Sequence, residues 1–193
     1  MTPTPQQRAH EGLVAADIGD YHAAFRILRP LAEGANSQVQ LAVGYMYDHG
    51  LGVAQNQAEA LAWYRRAADQ GSPAAQYNLG VMCRDGLGTP QDHGQAIEWF
   101  RKSAEQGDAE AQNDLGAMYG KGQGVEQSDA TAVAWYRKAA AQGLARAQYN
   151  LGRMYEDGAG IEKDLAQAAS LYRRAAAHGH AGAQECLENL RDI

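Results

Sequence analysis

At 193 residues the chain has room for one ordinary globular domain or a short array of repeats. Its net charge of −6 and pI near 5.5 exclude nucleic acid as a partner, because phosphate binding needs a surplus of Lys and Arg on one face. No apolar run reaches the length of a membrane span, which excludes membrane insertion, and the opening MTPTPQQRAH has no apolar core of the signal-peptide kind.

As numbered, the chain therefore reads as cytoplasmic. A periplasmic or secreted chain whose export signal had been removed would read the same.

In chain order, residues 7–36 (from RAHEGLVAADIGDYHAAFRILRPLAEG) form the first predicted hairpin. Gly12 is its first-helix glycine, Gly19-Asp20-Tyr21 its turn, and Ala24, Ile27 and Leu28 its second-helix face. Four copies of one pattern follow at a 36-residue period, over 37–72, 73–108, 109–144 and 145–180. Their columns are Gly44/Gly80/Gly116/Gly152, Met46/Met82/Met118/Met154, Ala60/Ala96/Ala132/Ala168 and Gly71/Gly107/Gly143/Gly179. Each copy has a loop with two glycines: HGLGVAQN, DGLGTPQD, KGQGVEQS and DGAGIEKD. These columns hold 16 of the 22 glycines, so glycine here is punctuation and not disorder.

Each copy reads as two helices, and the second copy shows why. Ser72 before Pro73 is an N-cap with proline in the first turn. Gln76, Leu79, Gly80 and Cys83 then share one helical face. Gly86 supplies the left-handed conformation that ends the helix. Asp92 caps the second helix, with Gln95 completing a capping box; Asn56/Glu59 and Asp164/Gln167 are the equivalent pairs, and Ser128/Thr131 keeps the cap alone. Ile97, Phe100 and Ala104 make the buried stripe, and Gly107 ends it. Thr89, with Val53, Val125 and Ile161, packs the loop down. An enzyme needs one phosphate-cradling loop; four at fixed spacing are architecture. Residues 181–193 repeat the start of a first helix, with Leu187 in the Leu79 column and Glu188 in the glycine column, as suits a capping helix.

The pattern A-x-x-Q-x-x-L-G-x-M-Y-x-x-G-x-G-V followed by A-x-x-W-Y-R-K-A-A-x-Q-G resembles the Sel-one-like repeats, relatives of the tetratricopeptide repeat with a longer inter-helix loop. It is carried by Ala75-Gln76, Leu79-Gly80 and Met82, then Ala96, Trp99-Phe100-Arg101-Lys102 and Ala104-Glu105-Gln106-Gly107. Cys83 departs from Tyr47, Tyr119 and Tyr155, and Leu171 replaces the last tryptophan. The resemblance implies an all-α, right-handed α/α superhelical solenoid forming a single domain, with first helices lining a concave side.

Recurring residues are then committed to packing, and function falls to inward columns that vary. Counted from the first-helix glycine, these are Leu41, Tyr45, Asp48 and His49; Tyr77, Val81, Arg84 and Asp85; Asn113, Ala117, Gly120 and Lys121; Tyr149, Arg153, Glu156 and Asp157. Tyrosine and arginine are favoured interface anchors. The expected partner is a peptide or another protein, held by a monomeric, non-catalytic adaptor with no cofactor.

Sharper chemistry finds little support. Trp63, Trp99 and Trp135 recur strictly beside Tyr64, Phe100 and Tyr136, as packing residues do. The basic pairs after them are expected to snorkel and pair with acids. His178, His180 and Cys186 match no strong zinc spacing, and no metal site is expected. Cys83 and Cys186 stand almost three repeats apart and are expected to be free thiols, which favours a reducing compartment. The resemblance also carries two alternatives: an inhibitor or immunity-type protein occluding a cognate bacterial enzyme or toxin, and a small-molecule hydrolase. Relatives linked to the latter have cysteine pairs within each repeat that are missing here.

Overall fold

Regular capping divides the chain into helices of nearly uniform length. The computed structural model describes residues 3–191, so the last two residues of the predicted capping helix lie outside the described residues. Among those described there are eleven α-helices and no strand: α1 (Pro5–Asp17), α2 (Tyr21–Leu31), α3 (Ser37–His49), α4 (Gln57–Asp69), α5 (Pro73–Asp85), α6 (His93–Glu105), α7 (Ala109–Lys121), α8 (Asp129–Ala141), α9 (Ala145–Asp157), α10 (Leu165–Ala177) and α11 (Ala181–Arg191).

The predicted N-caps hold. Ser72 accepts from the Ala75 N–H at 3.4 Å, Asn56 from Glu59 at 3.2 Å, Asp92 from Gln95 at 2.9 Å and Asp164 from Gln167 at 2.9 Å. The reciprocal half of the expected capping boxes takes another form. Glu59 accepts the Trp63 indole N–H at 3.1 Å, and the Gln95 amide donates to the Asp92 carboxylate at 2.9 Å. In both, the cap residue's own N–H is already taken by a carbonyl of the preceding helix, Asn56 on Tyr47 at 2.9 Å and Asp92 on Cys83 at 2.8 Å. The complete box forms instead at Thr4 and Gln7, ahead of α1.

The glycine pair does two different jobs. Gly86 closes α5 in the left-handed region at φ 72°, its N–H on the Met82 carbonyl, and Leu87 N–H reaches the same carbonyl at 2.9 Å. Gly88 is also left-handed, and a Cβ built on it would stand 2.6 Å from the Gln57 carbonyl oxygen. The loop backbone thus lies directly on the start of α4, and Gly52 on α2 and Gly160 on α8 repeat that approach. The Asp92 N–H then returns to the Cys83 carbonyl at 2.8 Å, fixing the loop at its other end.

The chain falls into two compact units, residues 1–99 and 100–193. In the first, α1 pairs with α2 and α3 with α4, and α5 stacks on α4. Leu28, Val39, Val43, Met46 and Trp63 form one buried cluster, and Tyr64, Ala67, Leu79 and Met82 a second. In the second unit α7 pairs with α8 and α9 with α10, and α11 packs on α10. Its clusters centre on Val133, Tyr136 and Leu151, and on Tyr172, Ala175 and Ala183 with Leu187 and Leu190 beside them. Glu188 is exposed on α11.

A buried glutamine stitches each second helix to the next first helix. Gln40 donates to the Ala32 carbonyl at 3.0 Å, Gln76 to Ala68 at 3.2 Å and Gln112 to Ala104 at 3.0 Å. Each amide adds a side-chain donor at a helix C-terminus, where the Ala68 and Ala104 carbonyls also accept the Gly71 and Gly107 N–H at 2.9 and 3.0 Å.

Candidate functional site

The variable columns divide between the two units. In the first, Leu41 and Tyr45 of α3 line an open cleft of about 720 Å³ with Leu13, Ala16 and Asp17 of α1, Tyr21, Gln38, Ala42, Met46, and Ala74 and Asn78 of α5. Tyr45 is 44% exposed and stacks on His49 at 4.0 Å between ring centroids. His49 Nδ1 lies 3.1 Å from the Tyr45 carbonyl. Val14 and Ile18, 42% and 77% exposed, add apolar surface on and just after α1. Neither belongs to the variable columns, which start only at the first full repeat. Apolar residues at 14 and 18, one turn apart, are the signal the sequence offers for them. Tyr77 and Val81 are half-buried on α5.

Three charged members of the first unit, Arg84, Asp85 and Asp48, are held within the chain. Arg84 grips Asp85 through two hydrogen bonds of 2.7 and 2.8 Å, and its guanidinium holds that carboxyl below the usual carboxylate range. The Tyr64 hydroxyl donates to Asp48 at 3.4 Å. Burial, then the Asp48 charge, pushes the Tyr64 phenol well above its ordinary value.

In the second unit, Glu156 accepts from the Tyr172 hydroxyl at 2.5 Å. Asn113 is buried, donating to Asp114 at 3.1 Å and accepting from Asn150 at 2.9 Å. Tyr149 stacks on His180 at 4.3 Å and tilts against Tyr172 at 5.7 Å. Arg153 approaches Asp157 at 4.0 Å, both more than half exposed. A smaller cleft of about 270 Å³ is lined by Ala117, Gly120 and Lys121, Asp129 and Tyr136, Asn150, Arg153, Met154 and Asp157, and Ala159. Burial first, then the Asp114 charge, pushes the Tyr136 phenol up to about 12, against the opposing Arg153.

The recurring aromatic and basic residues make contacts within the chain, but Trp99 and Trp135 are only half-buried, and the partners of the basic residues need one correction. Trp63 is buried, with the Arg29 and Arg66 guanidinium groups 4.7 and 4.3 Å from its ring centroid. Arg66 pairs with Glu33 at 2.9 Å as expected. Arg101 and Arg137 instead donate to the Tyr119 and Tyr155 hydroxyls at 2.9 and 3.2 Å, eighteen residues on. A long guanidinium on one hairpin reaches the tyrosine of the next more readily than any acid. Cys83 stands in that tyrosine column; it is buried, and burial pushes its thiol up, against the nearby Arg65. Both cysteines are free. His178 caps the end of α10, and among the described residues no three His, Cys, Asp or Glu side chains gather to hold a metal ion.

Stacked helix pairs of fixed period with a long inter-helix loop define an all-α repeat protein of the solenoid class. The Sel1 repeat model matches residues 35–72, 73–108, 109–144 and 145–180, and the chain belongs to that family. A solved structure of a protective antigen from uropathogenic Escherichia coli strains is 35% identical with a TM-score of 0.89, over 95% of this chain and 40% of that one. The chain thus spans well under half the length of that relative. A Sel1 repeat protein from Oxalobacter formigenes is also 35% identical with a TM-score of 0.88, over 94% of this chain and 72% of that one. An immunity protein from Pseudomonas aeruginosa, 24% identical with a TM-score of 0.59 over 95% and 69% of the two chains, shares the fold. No curated protein matches the chain. Sel1 repeat proteins are in general protein-interaction modules, and no described helix is long and apolar enough to cross a membrane.

Proposed function

We propose that the chain is a non-catalytic adaptor that holds a segment of another protein against the inner face of its first helices. The cleft of about 720 Å³ in the first unit carries this reading. Its walls combine apolar side chains, from Leu13, Ala16, Leu41 and Ala42, with polar ones, and Tyr45 stands exposed at its side. Large apolar side chains left in water beside an open cleft are what a docking segment would cover. Asp17, Gln38 and Asn78 supply polar groups to set its register.

The inhibitor or immunity-type role is the second reading, supported by the shared fold of the Pseudomonas aeruginosa immunity protein. Both roles predict loss of partner when the cleft is spoiled. The chain and its Leu41→Asp variant are used as paired baits in native cells. Proteins captured by the first and lost from the second are the cleft partners. Several assembly proteins among them support the adaptor, and one enzyme whose activity falls on mixing supports the inhibitor. Identical capture by both baits overturns the cleft as the binding surface.

A further inference from the structure

The second-helix ring and the residue four after the first-helix glycine form a matched pair. Tyr64 donates to Asp48 and Tyr172 to Glu156. In the second repeat Phe100 has no hydroxyl, and the matching residue, Arg84, turns to Asp85. The third repeat keeps the hydroxyl in Tyr136 but replaces the carboxylate by Gly120. A Cβ built on Gly120 would meet only Ala132 Cβ, at 3.6 Å, and the smaller cleft opens there.

The Tyr136 ring lies on Gly116 by its Cδ1 and Cε1 edge, as Tyr64 lies on Gly44 and Tyr172 on Gly152. Its hydroxyl is therefore brought beneath Gly120, where the sister hydroxyls meet a carboxylate. The column that supplies Asp48 and Glu156 offers no side chain there. Lys121, Asn150 and Arg153 stand in the walls, and Arg153 is held to Asp157 only loosely.

We propose that the gap at Gly120 is a carboxylate-binding subsite for a peptide, with Tyr136 donating to one oxygen and Arg153 or Lys121 to the other. The peptide carboxylate is an acidic side chain or a free chain terminus. Asp129 and Asp157 in the walls, with Asp114 nearby, outnumber the two cations. Nothing therefore draws anions from a distance, and a dianion such as phosphate is disfavoured. Selection rests on short-range hydrogen bonds to a planar monoanion. The subsite uses none of the residues of the first unit's cleft, so its failure leaves that reading standing.

The test is an NMR titration of the full chain with three short peptides. These are acetyl-Ala-Ala-Glu-Ala-Ala-amide, its glutamine counterpart, and acetyl-pentaalanine with a free carboxyl end. The expected result is saturable shifts at Gly120 and Tyr136 with the glutamate peptide, the free-acid peptide or both, which identifies the source, and none with the glutamine peptide. Tyr136→Phe, which mimics Phe100 of the second repeat, is expected to weaken binding roughly tenfold. Gly120→Asp restores an internal carboxylate and is expected to abolish it. Equal binding of the glutamine peptide, undiminished binding by Gly120→Asp, or no shift with any peptide at about 10 mM overturns the proposal.

Discussion

Gly44, Gly116 and Gly152 each lie against the ring edge of a tyrosine on the paired helix, so near that a Cβ on any of them would stand 2.6 to 2.7 Å from a ring carbon. The missing side chain sets how closely the two helices of a hairpin approach. Gly12 does the same against Leu28 in the first hairpin, at 2.5 Å. Tyr64 is fully buried and cannot swing into solvent to make room. Gly44→Ala is therefore expected to destabilise the chain by about 1–3 kcal/mol through overpacking, despite the better helix propensity of alanine. Urea denaturation measures it. A neutral or stabilising Gly44→Ala would mean that the ring shifts without cost. The glycine column was legible in the sequence as a column, but its partner was not, because the contact joins residues twenty apart on different helices.

At the scale of one helix, the cap on α6 ties stability to pH. The Gln95 backbone N–H, and then its side chain, hold the Asp92 carboxyl below its ordinary value. A carboxyl depressed in the folded state contributes stability above its unfolded pKa, about 3.9, and loses it as pH falls through the lower folded value. Asp85 beside Arg84, and Glu33 between Arg66 and Arg29, shift the same way. Asp92→Asn keeps a good N-cap without the titrating charge. Its urea midpoint is expected to fall less between about pH 6 and pH 3 than that of the parent chain; equal falls would remove Asp92 from the acid response. Caps and helix-ending glycines were legible because they act within one helical turn of sequence, and the period because it recurs four times; the approach of Gly88 to Gln57 on the preceding hairpin was not. The Arg101–Tyr119 and Arg137–Tyr155 bonds were not, since each joins two hairpins. Nor was the burial of Asn113, which follows from its bond to Asn150 one repeat on.

Across the whole molecule, modules of this kind touch mainly their own helix partner and their neighbours, so stability is close to a sum of local contributions. The variable columns then divide into residues that hold modules together and residues that keep exposed surface. Tyr149 belongs to the first kind. It packs on Tyr172 and His180, and burial, then Cys186, pushes its phenol up. Tyr45 is nearly half exposed, with His49 as its stacking partner. Tyr45→Ala is expected to leave stability within about 0.5 kcal/mol, as for an ordinary surface change. Tyr149→Ala is expected to lower hydrogen-exchange protection in α9, α10 and α11 first, while the amides of α1 to α4 keep theirs. The same exchange experiment on both variants checks the pair. Uniform loss along the chain in Tyr149→Ala would show that the hairpins open all together, and a large loss in Tyr45→Ala would return that ring to the packing residues.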